Sequence, residues 1–108
     1  LMGYSPYFSS KKLAEKLDLD LTDIDFFEIN EAFASQAFAV SRDLGLDPEK
    51  VNIYGGGISI GHPIGATGTI LAIKCAYELA ERHPEKQDAM VSMCIGGGQG
   101  ISMYFTKE

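Results

Sequence analysis

Between residues 9 and 20, SSKKLAEKLDLD, the apolar positions Leu13, Ala14 and Leu17 recur with a helical period while Lys and Glu occupy the opposite side. This predicts a surface amphipathic helix opened by capping serines. The stretch DIDFFEI at 23–29 is short and rich in aromatic and β-branched residues, so it predicts a strand. From 30 to 45, NEAFASQAFAVSRDLG carries apolar residues at Ala34, Ala37, Phe38 and Leu44, and again at Phe33 and Val40. Nearly every face of its first three turns is therefore apolar, the pattern of a buried helix, and Gly45 ends it. DPEKVNIY at 47–54 predicts a turn and a short strand. The helical period returns from Gly65 or Ala66, with Ile70, Ile73, Tyr77 and Ala80 on one stripe and Lys74, Glu78 and Glu81 on another, until Pro84 stops it. Two strands close the chain. DAMVSMCI at 88–95 is almost continuously apolar, as expected of a strand covered on both faces, and GISMYFTK at 100–107 follows a short glycine connection.

The order α-β-α-β-α-β-β predicts an α/β fold, with a mixed, mostly parallel sheet, helices on both faces and an antiparallel last strand. A series of βα units ordinarily opens on a strand, yet LMGYSPYF at 1–8 is broken by Gly3 and Pro6, so the first strand of the unit is expected to be missing. The 108 residues make one domain, 1–108, and their 45% hydrophobic and 22% charged content is that of an ordinary globular chain. Nothing reaches the roughly 18 apolar residues of a membrane span, and the start lacks a signal-peptide pattern, so a soluble protein is expected.

A net charge of −6, with no basic cluster beyond Lys11–Lys12, argues against nucleic acid and anionic membranes as partners. Cys75 and Cys94 form no CxxC pair or disulfide framework and suit a reducing, cytoplasmic compartment. No metal site is expected, because His62, Cys75, His83 and Cys94 show no ligand spacing. GHPIGATGT lacks the lysine of a phosphate loop, and GGGQG runs into a strand instead of opening a helix.

In open α/β sheets, functional groups collect just past the carboxyl ends of parallel strands. Asn30 follows FFEI, His62 lies in the loop after VNI, and Cys94 ends AMVSM with glycines behind it. Asn30 reads either as the N-cap of the next helix, with Glu31 in its first turn, or as a functional amide, and the two are compatible. His62 reads as a loop histidine or as a group held rigidly by Gly61 and Pro63, and Cys94 as a small core residue or a working thiol beside open backbone donors. Cys75 reads as core, and His83 as a cation at a helix end.

NEAFA at 30–34, NIYGGGISIGHPIGATG at 52–68 and CIGGGQG at 94–100 together resemble, over essentially the whole chain, the C-terminal half of thiolases, specifically acetyl-CoA acetyltransferases. The resemblance implies two similar halves packed as five αβαβα layers, with the nucleophilic cysteine in the other half. It implies that His62 activates that nucleophile and, with a water held by Asn30, forms one oxyanion hole. Cys94 would be the acid/base at the substrate α-carbon, the N–H of Gly96 half of a second oxyanion hole, and Phe33 part of the pantetheine and acyl pocket. Claisen condensation needs such a set: a nucleophilic thiol, an acid/base and two anion-stabilising pockets.

Acetyl-CoA and acetoacetyl-CoA are then substrates, no cofactor is expected, and the partners are an N-terminal half and further copies in a homo-oligomer. The many glycines are expected to let backbone wrap closely around His62. Tyr54 and Gly57 depart from the common Asn and Ala, which bears on acyl-chain preference. Relatives carry one more strand at the start of this half, central in their sheet. Positive partners for the phosphates of coenzyme A are expected from the missing half. The alternatives are a broader 3-ketoacyl-CoA thiolase and a non-catalytic acyl-CoA binding module.

Overall fold

A computed structural model describes residues 2–108, so the part of the 1–8 reading that falls on Leu1 lies outside the described residues. The first long element is the helix α1, Ser5–Leu17. It starts four residues before the expected capping serines, because Pro6 sits in its first turn, where a missing N–H costs nothing. Asp18 ends it in the left-handed conformation (φ 54°) and returns its N–H to the last turn.

Strand β1, Phe26–Ile29, pairs in parallel with β2, Asp88–Ile95, which pairs in turn with the antiparallel β3, Gln99–Thr106. The strand order is β1-β2-β3. Helix α2 is Ala34–Asp43, α3 is a single turn at Gly57–Ile60, and α4 is Thr67–Tyr77. A π-helical turn, Glu78–Arg82, prolongs α4, and its N–H from His83 reaches back to the Glu78 carbonyl at 2.8 Å.

Alternation along β1 divides the core. Phe27 and Ile29 join Met90, Val40 and Ile24 on the face covered by α1 and α2, whereas Phe26 joins Ala89, Val91, Leu71, Cys75 and Leu79 beneath α4. Helices therefore lie on both faces of a mixed sheet with an antiparallel last strand, as expected. α1 is fastened by hydroxyls: Ser10 Oγ lies 2.6 Å from Ser92 Oγ, and Ser102 Oγ lies 2.8 Å from Ser92 and 2.7 Å from Ser9.

Several expectations change. The short strand expected within 47–54 is reduced to one parallel bridge, Phe27 to Val51, because Asn52 turns left-handed (φ 49°) and its carbonyl accepts the N–H of Gly55 at 2.9 Å. Among the described residues β1 pairs directly with β2, and β2 with β3, leaving no gap for a central strand. α2 is not a buried helix. Only Gln36 and Val40 are buried on it, and Phe38 is 68% exposed, because the sheet and α1 cover one side alone.

The helix α4 turns its expected apolar stripe outward, with Ile73 62% and Tyr77 52% exposed. Leu71, Cys75 and Leu79 face the sheet, accompanied by Glu78 from the expected polar stripe.

Candidate active site

Asn30 extends β1 by one more parallel bond, its N–H donating to the Ser92 carbonyl at 2.9 Å. It is not the N-cap of α2. That helix begins at Ala34 behind an extended Phe33 (φ −141°, ψ 143°), so Glu31 lies outside it. Gln36 makes the turn between them: its Nε2 donates to the Asn30 carbonyl at 3.3 Å, and its Oε1 accepts the Phe33 N–H at 3.3 Å. Asn30 is 2% exposed, and its amide Nδ2 has no hydrogen-bond partner among the described residues. A buried donor of that kind is costly unless something accepts from it.

The glycine-rich loop is anchored to the same strand end. Asn52 Oδ1 accepts the Ile29 N–H at 2.8 Å, and its Nδ2 donates to the Ile29 carbonyl at 2.9 Å, so one side chain replaces a neighbouring strand. Glu31 Oε1 accepts the N–H of Ile58 at 3.2 Å. A Cβ at Gly57 would stand 2.9 Å from the Glu31 carbonyl oxygen, closer than real side chains approach backbone. Gly56 and Gly57 are thus demanded by Glu31, and Gly55 by its φ of +83° beside Ser59, not by His62. Next to the imidazole the requirement is Gly61, whose φ of +94° ends α3.

His62 is exposed, and its Nδ1 lies 2.5 Å from the Thr67 hydroxyl, which also donates to the Pro63 carbonyl at 3.0 Å. Cys94 is a half-buried free thiol at the end of β2, opposite Gly100. His62, Cys94, Gly96 and Phe33 line one cavity of about 450 Å³, together with Ala32, Ile64, Met93 and Ile95. Asn30 is not in that lining and stands behind Ala32 in sequence. The cavity wall is largely apolar, and Met93 is wedged under the start of α4, its sulfur 3.3 Å from where a Cβ at Gly68 would be.

Sequence reasoning missed Gln36, Asn52, Ile64, Met93 and Thr67. Gln36 stands three residues after the true N-cap, a detectable capping spacing once the boundary is known. Thr67 was reachable from its spacing of five after His62, but no period marks it.

Beneath α4 the electrostatics are unusual but lie apart from the cavity. Glu28 is buried, and desolvation pushes its carboxyl up from 4.5 to about 7, against the pull of Lys74, whose Nζ is 3.5 Å from Oε2. Burial likewise raises the Cys75 thiol to about 12, with Glu28 and Glu78 adding to the effect, so it is an inert core group. Lys74 also donates to the Gly55 carbonyl at 3.1 Å, tying α4 to the loop that carries His62. Tyr54 bonds His83 Nε2 at 3.0 Å and does not line the cavity.

Among the described residues, no three His, Cys, Asp or Glu side chains converge to hold a metal ion, and no helix is long and apolar enough to cross a membrane.

Residues 1–107 match the profile described as "Thiolase, C-terminal domain". The chain is 50% identical over 106 residues to Beta-ketothiolase BktB of Cupriavidus necator, covering 98% of itself and 26% of that protein. Its fold superposes with a TM-score of 0.90 on the peroxisomal 3-ketoacyl-CoA thiolase of Saccharomyces cerevisiae, at 45% identity, covering 99% of this chain and 30% of that one. That enzyme is described as a five-layered α-β-α-β-α structure built from two core domains of identical topology. The acetyl-CoA acetyltransferase of Bacillus anthracis superposes at 0.89 with 43% identity, covering 95% and 26% respectively. The chain therefore spans about a quarter of the length of the curated relatives it matches, 26% of BktB for one.

Proposed function

Because the chain belongs to the thiolase family, as its C-terminal domain, we propose that it is the C-terminal catalytic half of an acetyl-CoA C-acetyltransferase. The enzyme condenses two acetyl-CoA to acetoacetyl-CoA and CoA, or runs the reverse thiolysis. The observation that carries this reading is the single cavity lined by His62, Cys94, Gly96 and Phe33, side chains and backbone from three separate stretches of sequence.

A cysteine of the N-terminal half supplies the nucleophile, and His62 takes its proton as the thiolate attacks the first thioester and CoA departs. Cys94 then removes a proton from the α-carbon of the second acetyl-CoA, and the carbanion attacks the acyl group on the enzyme. The oxyanion of one step is stabilised by His62 with a water on the Asn30 amide, and that of the other by the Gly96 N–H with the nucleophile's own N–H. The buried, unpartnered Nδ2 of Asn30 supports this role. Phe33 lines the pantetheine and acyl pocket. No cofactor takes part, and a cytoplasmic homo-oligomer belongs to the same reading.

The apolar wall of Phe33, Ile64, Met93 and Ile95, with the names of the relatives, favours a second reading as a broader 3-ketoacyl-CoA thiolase. Comparing kcat/KM over acyl chains of increasing length separates the two. For the roles themselves, Cys94→Ser in the complete enzyme is expected to slow condensation by about 10²- to 10⁴-fold, the worth of a positioned acid/base. Formation of the acetylated enzyme should stay largely intact. Equal loss of both half-reactions removes Cys94 from the assigned role.

A further inference from the structure

We infer that Thr67 is a positioning residue that fixes the tautomer of His62, leaving Nε2 as the basic nitrogen. The inference rests on the proposed function for the use of that nitrogen, but its geometry stands apart. The Thr67 hydroxyl has one proton and two neighbours, the Pro63 carbonyl at 3.0 Å and His62 Nδ1 at 2.5 Å. A carbonyl can only accept, so both contacts are hydrogen bonds only when the hydroxyl donates to Pro63 and the ring donates Nδ1–H to Oγ1. The proton of the neutral imidazole is then on Nδ1, and the lone pair is on Nε2.

The local fold makes this arrangement rigid. The Pro63 carbonyl also accepts the N–H groups of Ala66 and Thr67, at 2.8 and 2.9 Å, closing the turn that starts α4. Thr67 is buried at the first position of that helix, so its hydroxyl is aimed by main chain. His62 is exposed, and among the described residues Thr67 is the one side chain that bonds its ring. When a thiol gives its proton to Nε2, the S–H bond breaks, an Nε2–H bond forms, and the resulting imidazolium keeps Nδ1–H on Thr67. Thr67 itself exchanges no proton.

The test uses the complete enzyme labelled with ¹⁵N-histidine, at a pH where His62 is neutral. The wild type is expected to show a protonated Nδ1 and a bare Nε2. Thr67→Ser should keep that pattern and most of the acylation rate. Thr67→Val has the same shape without the acceptor, and should move the proton toward Nε2 and slow acylation by about tenfold, the worth of one hydrogen bond.

A wild-type spectrum with the proton on Nε2 overturns the inference without any variant. So does a folded Thr67→Val enzyme with unchanged tautomer and rate. His62→Ala separates this from the wider reading: if it leaves acylation intact, the proposed function fails. If it abolishes acylation while Thr67→Val changes nothing, only the role of Thr67 fails.

Discussion

Asn52 shows how one side chain does the work expected of a strand. Its amide matches the donor and acceptor of Ile29, and a left-handed backbone, tolerable for Asn, turns the loop away immediately afterwards. Asn30 comes next in the chain after Ile29, so the bond pair also sets where the buried amide stands. Replacing Asn52 with Ala is expected to cost about 2 kcal/mol, two net hydrogen bonds, measured as a lower urea midpoint. In the complete enzyme it should lower kcat more than it raises KM, because no cavity-lining group is removed. Asn30, His62, Cys94, Gly96 and Phe33 were legible as candidates from motif and strand-end position. Asn52, which bonds Ile29 from far along the chain, was not, because a hydrogen bond across the fold leaves no periodic trace, and Gln36 and Thr67 bond their partners locally but stand on no hydrophobic period.

Among the elements, β1 carries an odd cargo, a buried carboxylate. Glu28 is 1% exposed, with Lys74 beside it and Glu78 and Glu31 opposing its ionisation. Its folded pKa, about 7, lies above its ordinary 4.5, so the folded state holds the proton more tightly. Its contribution to stability is complete below pH 4.5 and is lost as pH rises through about 7, by roughly 3 kcal/mol. Urea midpoints at pH 5 and pH 8 should show Glu28→Gln gaining on the wild type as pH rises. A pH-independent difference between the two would show that Glu28 titrates normally.

The elements α1, β1, α2, α4, β2 and β3 were all legible in the sequence, from helical period, composition or apolar run. The orientation of α4 was not. Its sequence offers one stripe of Ile73 and Tyr77 and another of Leu71, Cys75 and Leu79, and period alone cannot say which meets the sheet.

At the scale of the whole molecule, α4 leaves Ile73 and Tyr77 mostly in water on one side of the sheet, and α2 leaves Phe38 so on the other. The 108 residues alone are therefore expected to bind a hydrophobic dye strongly and to show no thiolysis of acetoacetyl-CoA. Co-production with the N-terminal half should reduce dye binding and restore activity; detectable thiolysis by the isolated chain would count against the proposal that another half supplies the nucleophile.

The amino-acid order alone determined that α1, α2 and α4 are helices, that β1, β2 and β3 are strands, and that the closing pair is antiparallel. Those depend on local periodicity and on residues a few positions apart. The tertiary structure alone decided that the short strand expected within 47–54 is reduced to one bridge, that Gly56 and Gly57 serve Glu31, and that one face of α4 is left uncovered. Each of these depends on what packs against a residue from elsewhere in the chain, and burial is a property of the pair in contact, not of either sequence by itself.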